Sequence, residues 1–425
     1  MKKFAALMLA LLMVFSLVAC SSNNPSGSTN PTPSVNPSES VEPTGEPSNE
    51  PATSDYKVAM ITDYGDITDQ SFNQTTYEAC KDFCEKNGID FTYLKPQGDT
   101  TPDRVAMIEK AVNDGYNVIV MPGYAFGGAI VEAAPEYPDV KFFALDVAKG
   151  DLLETAVANA GEQYDWDADN WDLAQYFDMK NVYCCVYQEE LCGYMAGYAA
   201  VKLGYTKLGF LGGMAVPAVV RYGYGFVQGV DAAAKDMGIT VDLKYIYGGL
   251  FYGTADITAV MDTWYGAGTE IVFACGGGIY TSAVDAAKKV EGAKVIGVDV
   301  DQAGVIALYA GGEEHASEYL DLTVTSAMKG LYPATYDTLN DIINNDNWGA
   351  YVGKIATLGL VSEDPTLNYV QIPMESTQWA EGKFTQEDYK TLVKGMLNGE
   401  IEVSNNTKTA PTVTNVNVEY LGQIV

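Results

Sequence analysis

The sequence predicts an α/β fold of two Rossmann-like lobes with parallel sheets, joined by a hinge. Three observations carry this: apolar strand-like runs alternate with stretches of helical spacing, the alternation comes in two sets, and the second set copies the first. The strand-like runs are "KVAMIT", "IDFTYL", "NVIVMP" and "VKFFALD", then "KLGFLGG", "TVDLKYIY", "EIVFACG" and "AKVIGVD". Between them lie helical patterns such as "FNQTTYEACKDFCEKNG", "PDRVAMIEKAVNDG" and "EELCGYMAGYAAVKLG", several closed by a glycine at the expected stop. Strands alternating with helices imply parallel sheets covered on both faces. Laying "YNVIVMPGYAFGGAIVEAAPEYPDVKFFALD" over "TEIVFACGGGIYTSAVDAAKKVEGAKVIGVD" pairs Gly123 with Gly276 and Asp146 with Asp299, each 153 positions apart without a gap. Earlier pieces align at an offset of 150, which puts Lys57 on Lys207 and Phe72 on Tyr222. A repeat of this length is a pair of lobes related by a pseudo-twofold, not a solenoid.

Taken in order, the chain opens on "MKKFAALMLALLMVFSLVAC", residues 1–20: two lysines, an apolar run, small residues and Cys20. This is a secretory signal, too short and wrongly flanked for a stable membrane span. "LVAC" is also the pattern of a bacterial lipobox, in which the cysteine is lipidated and becomes the N-terminus; the alternative is a plain cleaved signal. Residues 21–55 are Ser, Asn, Pro, Gly, Thr and Glu with little to bury, the composition of a solvated linker. The expected localisation is a cell membrane, on its extracellular or periplasmic side, attached by a lipid anchor alone. The body divides into an N-terminal lobe, 56–205 plus roughly 322–346, and a C-terminal lobe, 206–321 plus roughly 347–425.

A formal net charge of -31 argues against nucleic acid and anionic lipid as partners, since both require a basic face. It also disfavours phosphorylated ligands. Six cysteines remain beyond Cys20, and His315 is the only histidine, so no zinc pattern forms. Buried thiols are expected, with a disulfide as the alternative, and neither a metal nor a cofactor is expected. The run Gly276, Gly277, Gly278 follows a strand and precedes a helix, where phosphates are cradled, but the G-x-x-x-x-G-K-[ST] pattern is missing from the chain. These glycines either let backbone approach a ligand closely or make a tight turn.

In open α/β sheets, ligands sit beyond the carboxyl ends of the strands, so two facing lobes form one cleft. Asp63, Asp69 and Phe72 follow the first strand, Asp146 ends the fourth, and Tyr222 and Asp299 are the counterparts across the cleft. Two rings at pseudo-symmetric positions can sandwich a flat ligand, each stack contributing about 1–3 kcal/mol. The carboxylates would accept hydrogen bonds from ligand N–H and O–H groups. A planar, donor-rich, uncharged molecule fits this pattern. Asp69 reads equally as a helix cap, Asp66 as a solvated loop charge, and Phe72 or Tyr222 alone as core.

The motifs "ITDYGDITDQSFNQ", "VKFFALD", "EELCGYMAGYAAVKLG", "KLGFLGGMAVPAVVRYGYGFVQGV", "IVFACGGGIYTSAVDAA", "VIGVDVDQ" and "LTVTSAMKG" run in order over most of residues 56–330. In them the chain resembles the basic membrane protein family of bacterial lipoproteins, substrate-binding components of ABC importers that include purine nucleoside receptors. The resemblance implies the type I periplasmic-binding-protein architecture and no enzymatic activity. The implied partners are a nucleoside, an ABC transporter permease and a separate ATPase subunit. Position by position, Asp63 and Asp146 would hydrogen-bond the base edge, with Asp69 and Asn73 lining the same corner. Phe72 would stack on the base opposite Tyr222, where the family more often has phenylalanine. Gly277 would bring backbone against the ligand, Asp299 would accept the ribose hydroxyls, and Lys329 would donate to the ribose while pairing with the nearby carboxylate. The resemblance fails in residues 147–180 and weakens after about Val370. The 147–180 segment, with Trp166 and Trp171, reads as a flap, a docking surface or a surface elaboration packing its own aromatics.

Three alternatives stand beside the nucleoside reading. A sugar or other small metabolite also fits between aromatic platforms. A nucleoside-cleaving enzyme would need a general acid/base, a metal cluster or a phosphate site, none of which is legible. Presentation of ligand to a sensor is not separable from transport by sequence.

Overall fold

The computed structural model describes residues 55–425; the signal, Cys20 and the linker lie outside the described residues. In chain order, β1 (Lys57–Ile61), α1 (Phe72–Asn87), β2 (Asp90–Leu94), α2 (Thr101–Asn113), β3 (Val118–Pro122), α3 (Phe126–Ala133), β4 (Lys141–Leu145), α4 (Lys149–Asn159) and β5 (Val182–Tyr187) make the first alternation. The second comprises α5 (Glu189–Leu203), β6 (Lys207–Gly212), α6 (Pro217–Met237), β7 (Val241–Tyr247), α7 (Ala255–Gly266), β8 (Ile271–Cys275), α8 (Tyr280–Ala287), β9 (Lys294–Asp299), α9 (Ala303–His315) and β10 (Thr323–Lys329). The chain finishes with α10 (Leu331–Ile343), β11 (Ile355–Leu358), β12 (Val370–Gln371), α11 (Gln386–Leu397) and β13 (Val416–Gln423).

Two sheets result, ordered β11-β5-β4-β3-β1-β2 and β12-β10-β9-β8-β6-β7-β13. Every pairing is parallel except the short β12 against β10. Central strands such as β3 (VIVMP) and β8 (IVFAC) are buried along their whole length, as helices on both faces of a parallel sheet require. Adjacent Cys184 and Cys185 on β5 point into different apolar clusters, and all six thiols in the body are buried and free. Residues 160–180, in the stretch where the resemblance fails, pack Tyr164 against Trp166 and Trp171, and Trp171 against Tyr176.

Helices α5 and α6 meet backbone to backbone. A Cβ on Gly193, Gly197, Gly225 or Gly229 would sit 2.0–2.4 Å from a carbonyl oxygen of the facing helix, so the glycines in "CGYMAG" and "GYGFVQG" set the contact. Because α5 packs on α6, the chain has already crossed to the second lobe by Glu189.

The expected lobe boundaries need correcting at the returns. The sequence reading places β10, within 322–346, in the first lobe, but it pairs with β9 in the second sheet. The same reading places β11, within 347–425, in the second lobe, but it pairs with β5 in the first. Helix α10 packs on α1, so the chain crosses three times: near Gln188, at Gly330, and between β11 and β12. Strand β11 returns to the edge of the first sheet after the chain has passed through the second lobe, a pairing that carries no local sequence signal. Backbone hydrogen bonds lace the crossings together: Gln188 N to Leu358 O (2.9 Å), Tyr369 N to Gly359 O (3.0 Å) and Gly330 N to Tyr369 O (2.7 Å).

Candidate functional site

Between the carboxyl ends of the two sheets lies a cavity of about 430 Å³. All nine residues expected to face a ligand line it: Asp63, Asp69, Phe72, Asn73, Asp146, Tyr222, Gly277, Asp299 and Lys329. The pseudo-symmetry holds at the level of backbone. Asp146 and Asp299 both adopt left-handed φ, 58° and 65°, where their strands end. Gly123 and Gly276 adopt φ of 121° and 148°, values that exclude most side chains.

Lys329 is the centre of the charge arrangement. Its ammonium bonds the Asp146 carboxylate of the first lobe and lies 3.6 Å from Asp299 and 3.8 Å from Glu189. It also sits 4.6 Å above the Phe72 ring, a cation–π contact. Burial alone would lower its pKa, but the carboxylates of Asp146, Asp299 and Glu189 outweigh that and hold it fully protonated. Asp299 accepts from Ser71 Oγ across the cleft (2.6 Å) and from the Tyr222 hydroxyl (3.4 Å). With Tyr222 turned edge-on to Phe273 and 2% exposed, the two expected platforms differ: Phe72 is half-buried and Tyr222 is core.

The remaining predicted residues divide by who holds them. Asp63 accepts the N–H groups of Tyr64 and Gly65, both at 2.7 Å, and burial pushes its pKa up. Asp69 accepts N–H groups from Ser71, Asn73 and Gln74 and from the Asn73 side chain, which caps α1 and engages both its oxygens. Asn73 Oδ1 and Asp146 Oδ1 are buried acceptors with no hydrogen-bond partner. Asp66 is an exposed loop charge paired with Lys95 at 2.9 Å.

Sequence reasoning missed Glu189, Glu190, Asp151 and Arg221. Glu189 is fully buried and takes the Arg221 Nε hydrogen bond at 2.6 Å, while Asp151 and Arg221 both line the cavity wall. Burial raises the pKa of Asp151 and Glu190 to about 7 each. One signal was available: the chain has only two arginines, Arg104 and Arg221. Both lie beside the cleft, Arg104 buried with its guanidinium over the Tyr64 ring and Arg221 partly buried in the cavity wall.

Two lobes closing on a carboxylate-lined cleft define a solute-binding protein, and comparisons with known proteins give its family. The chain belongs to the family described as "ABC transporter substrate-binding protein PnrA-like", which matches residues 56–406. This is a family of substrate-binding proteins rather than enzymes. A nucleoside-binding protein BmpA of an ABC transporter in Lactococcus lactis is 29% identical over 262 residues, 59% of this chain and 65% of the relative, just under two thirds of its length. Basic membrane protein B of Borreliella afzelii is 26% identical over 319 residues, 73% of this chain and 80% of that one. Among solved structures, an ABC transporter solute-binding protein from Aeropyrum pernix K1 shares the fold at TM-score 0.58 and 20% identity, covering 83% of this chain and 88% of its own.

Proposed function

We propose that the cleft captures a nucleoside, with purines favoured, and delivers it to an ABC importer whose permease and ATPase are separate chains. The observation that carries this reading is a ring of acceptors around a half-buried aromatic face. Phe72 offers its ring, Asp63 and the unpartnered oxygens of Asn73 and Asp146 offer acceptors on one lobe, and Asp299 faces them from the other. Purine nucleosides present N–H donors along the base edge and a cis-diol on the ribose, and a carboxylate is how related sheets read a ribose diol. In this reading Asp63, Asn73 and Asp146 take the base edge, Phe72 stacks on the base with the Tyr222 ring closing the other side, and Asp299 and Lys329 hold the ribose. Gly277 brings backbone close, and Asp69 acts through α1 rather than by touching ligand. Lys95, Arg221 and Lys329, the lysines and arginine of the wall, already sit within 4 Å of carboxylates, so a phosphorylated ligand has no spare countercharge. The name of the Lactococcus relative supports the same class.

The test is isothermal titration of the chain, unfolded and refolded to strip carried-over ligand, against guanosine, inosine, adenosine, cytidine, uridine, ribose and galactose. Tight binding of the purine nucleosides and none of free ribose is expected. A sugar that binds where no nucleoside does would remove the ligand and with it the roles of Asp63, Asp146 and Lys329. Anchoring is proposed through a lipid on Cys20; Cys20→Ala should release the chain from the membrane fraction. Among the described residues no helix is long and apolar enough to cross a membrane.

A further inference from the structure

Glu189 opens α5 directly after the first crossing, and Lys329 ends β10 directly before the second. The two charges therefore flank the hinge, and both belong to the second lobe, as do Arg221 on α6 and Asp299 at the end of β9. Within this lobe two cations, Lys329 and Arg221, face two carboxylates, Glu189 and Asp299. The fifth member, Asp146, comes from the first lobe and bonds Lys329 across the cleft.

We propose that Glu189 is a positioning residue that sets the balance between open and closed cleft by cancelling the charge Asp146 would otherwise be drawn to. With Glu189 and Arg221 both charged, the four second-lobe groups linked by contacts within 4 Å sum to zero and Asp146 gains only its local bond to Lys329; Glu190 and the first lobe's Asp151 act on Arg221 from further off and are unchanged in every variant below. When the lobes part and Asp146 leaves with its sheet, Glu189 and Asp299 remain to hold the Lys329 ammonium in place. Glu189 has the means: one oxygen is fixed by Arg221 Nε at 2.6 Å, and the other, Oε1, has no hydrogen-bond partner and faces Lys329 at 3.8 Å. Removing its charge leaves the lobe's set at one positive charge, which pulls Asp146 in; removing Arg221 leaves it at one negative charge, which pushes Asp146 out. Removing both restores neutrality. The inference rests on the cleft being the ligand site, not on which ligand fills it.

The experiment measures the interlobe distance by double electron–electron resonance on the full chain without ligand, with spin labels at Glu109→Cys on α2 and Thr263→Cys on α7, both exposed. A Cys20→Ala background leaves only these thiols reactive, since the six in the body are buried. Glu189→Gln should raise the closed-to-open ratio roughly fivefold, Arg221→Gln should lower it by a similar factor, and the double variant should return to within about twofold of wild type. A purely structural ion pair predicts loss of melting temperature in both single variants with no opposed shift of distance. Whichever single variant folds decides: a distribution that is unchanged, or moves in the other direction, overturns the proposal. Guanosine added to the labelled wild type reports on the ligand separately, since failure to close there removes the nucleoside and leaves the Glu189 result intact.

Discussion

The two lobes present the same backbone to the cleft and different chemistry on it. Gly123 and Gly276 occupy matching turns, but a Cβ on Gly123 would meet the Asp63 carboxylate at 2.9 Å, whereas one on Gly276 would meet the Phe251 ring at 2.8 Å. The position matching Asp63 is Gly213, against which Phe251 packs. Asp146 is held from across the cleft by Lys329, while Asp299 is held by Tyr222 of its own lobe and by Ser71 of the other. A duplicated frame thus fixes where a strand ends and leaves each end free to specialise: the first lobe toward buried carboxylate and amide acceptors, the second toward a ring-backed carboxylate.

The sharpest way to break the comparison is at the two rings. Tyr222→Ala empties a buried site packed on Phe273 and should cost about 3–5 kcal/mol of stability, read as a drop in the urea midpoint. Phe72→Ala, half-buried at the first turn of α1, should cost far less stability but weaken nucleoside binding by about 1–3 kcal/mol in titration. Equal effects on stability would mean the two positions are equivalent after all. Next come the paired aspartates. Asn tolerates their left-handed backbone, so Asp299→Asn and Asp146→Asn isolate charge from strain. Under the proposed binding mode, in which two ribose hydroxyls would lose a charged acceptor, Asp299→Asn should lower affinity by about 3 kcal/mol and Asp146→Asn by about half that.

A pH titration probes a feature both lobes share. Asp151 in the first lobe and Glu190 in the second are raised by burial to about 7, above the values of 3.8 and 4.5 they start from. The folded chain therefore binds more protons than the unfolded one between roughly pH 4 and pH 7, so their contribution to stability falls as pH rises through that window. Melting temperature should decline from pH 5 to pH 8. Asp151→Asn, which keeps the acceptor for the Ala148 N–H, should flatten that decline, gaining on the order of 1–2 kcal/mol at pH 8 and little at pH 4.5.

Much of this architecture was legible because repeats are. Strand ends recur at a fixed offset, so Gly123, Gly276, Asp146 and Asp299 announced a shared geometry before any contact was known. What stayed hidden were features that depend on distant partners. Glu189 and Glu190 look like the acidic first turn of any helix until α5 is seen buried between α6 and β10. Asp69 reads in sequence as a cap or a ligand residue, and its four accepted hydrogen bonds, which show the cap, need the folded turn to be seen. The return of β11 to the first sheet is set by the hinge as a whole, not by any residue in the strand.

The smallest effect is also the most discriminating, because it changes one atom. Tyr222 sits where Phe72 sits in the other lobe, yet carries a hydroxyl that reaches Asp299 at 3.4 Å, a long bond. Tyr222→Phe keeps the ring, its packing on Phe273 and the cavity shape, so stability should change by less than about 1 kcal/mol. Ser71 and Lys329 still hold the carboxylate, so Asp299 should remain aimed at the cleft. Nucleoside affinity should fall by about twofold to threefold, roughly 0.5 kcal/mol, in titration. A loss as large as that of Asp299→Asn would show instead that the hydroxyl itself orients the carboxylate, and that the second lobe's ring serves as a hydrogen-bond donor first and a stacking surface second.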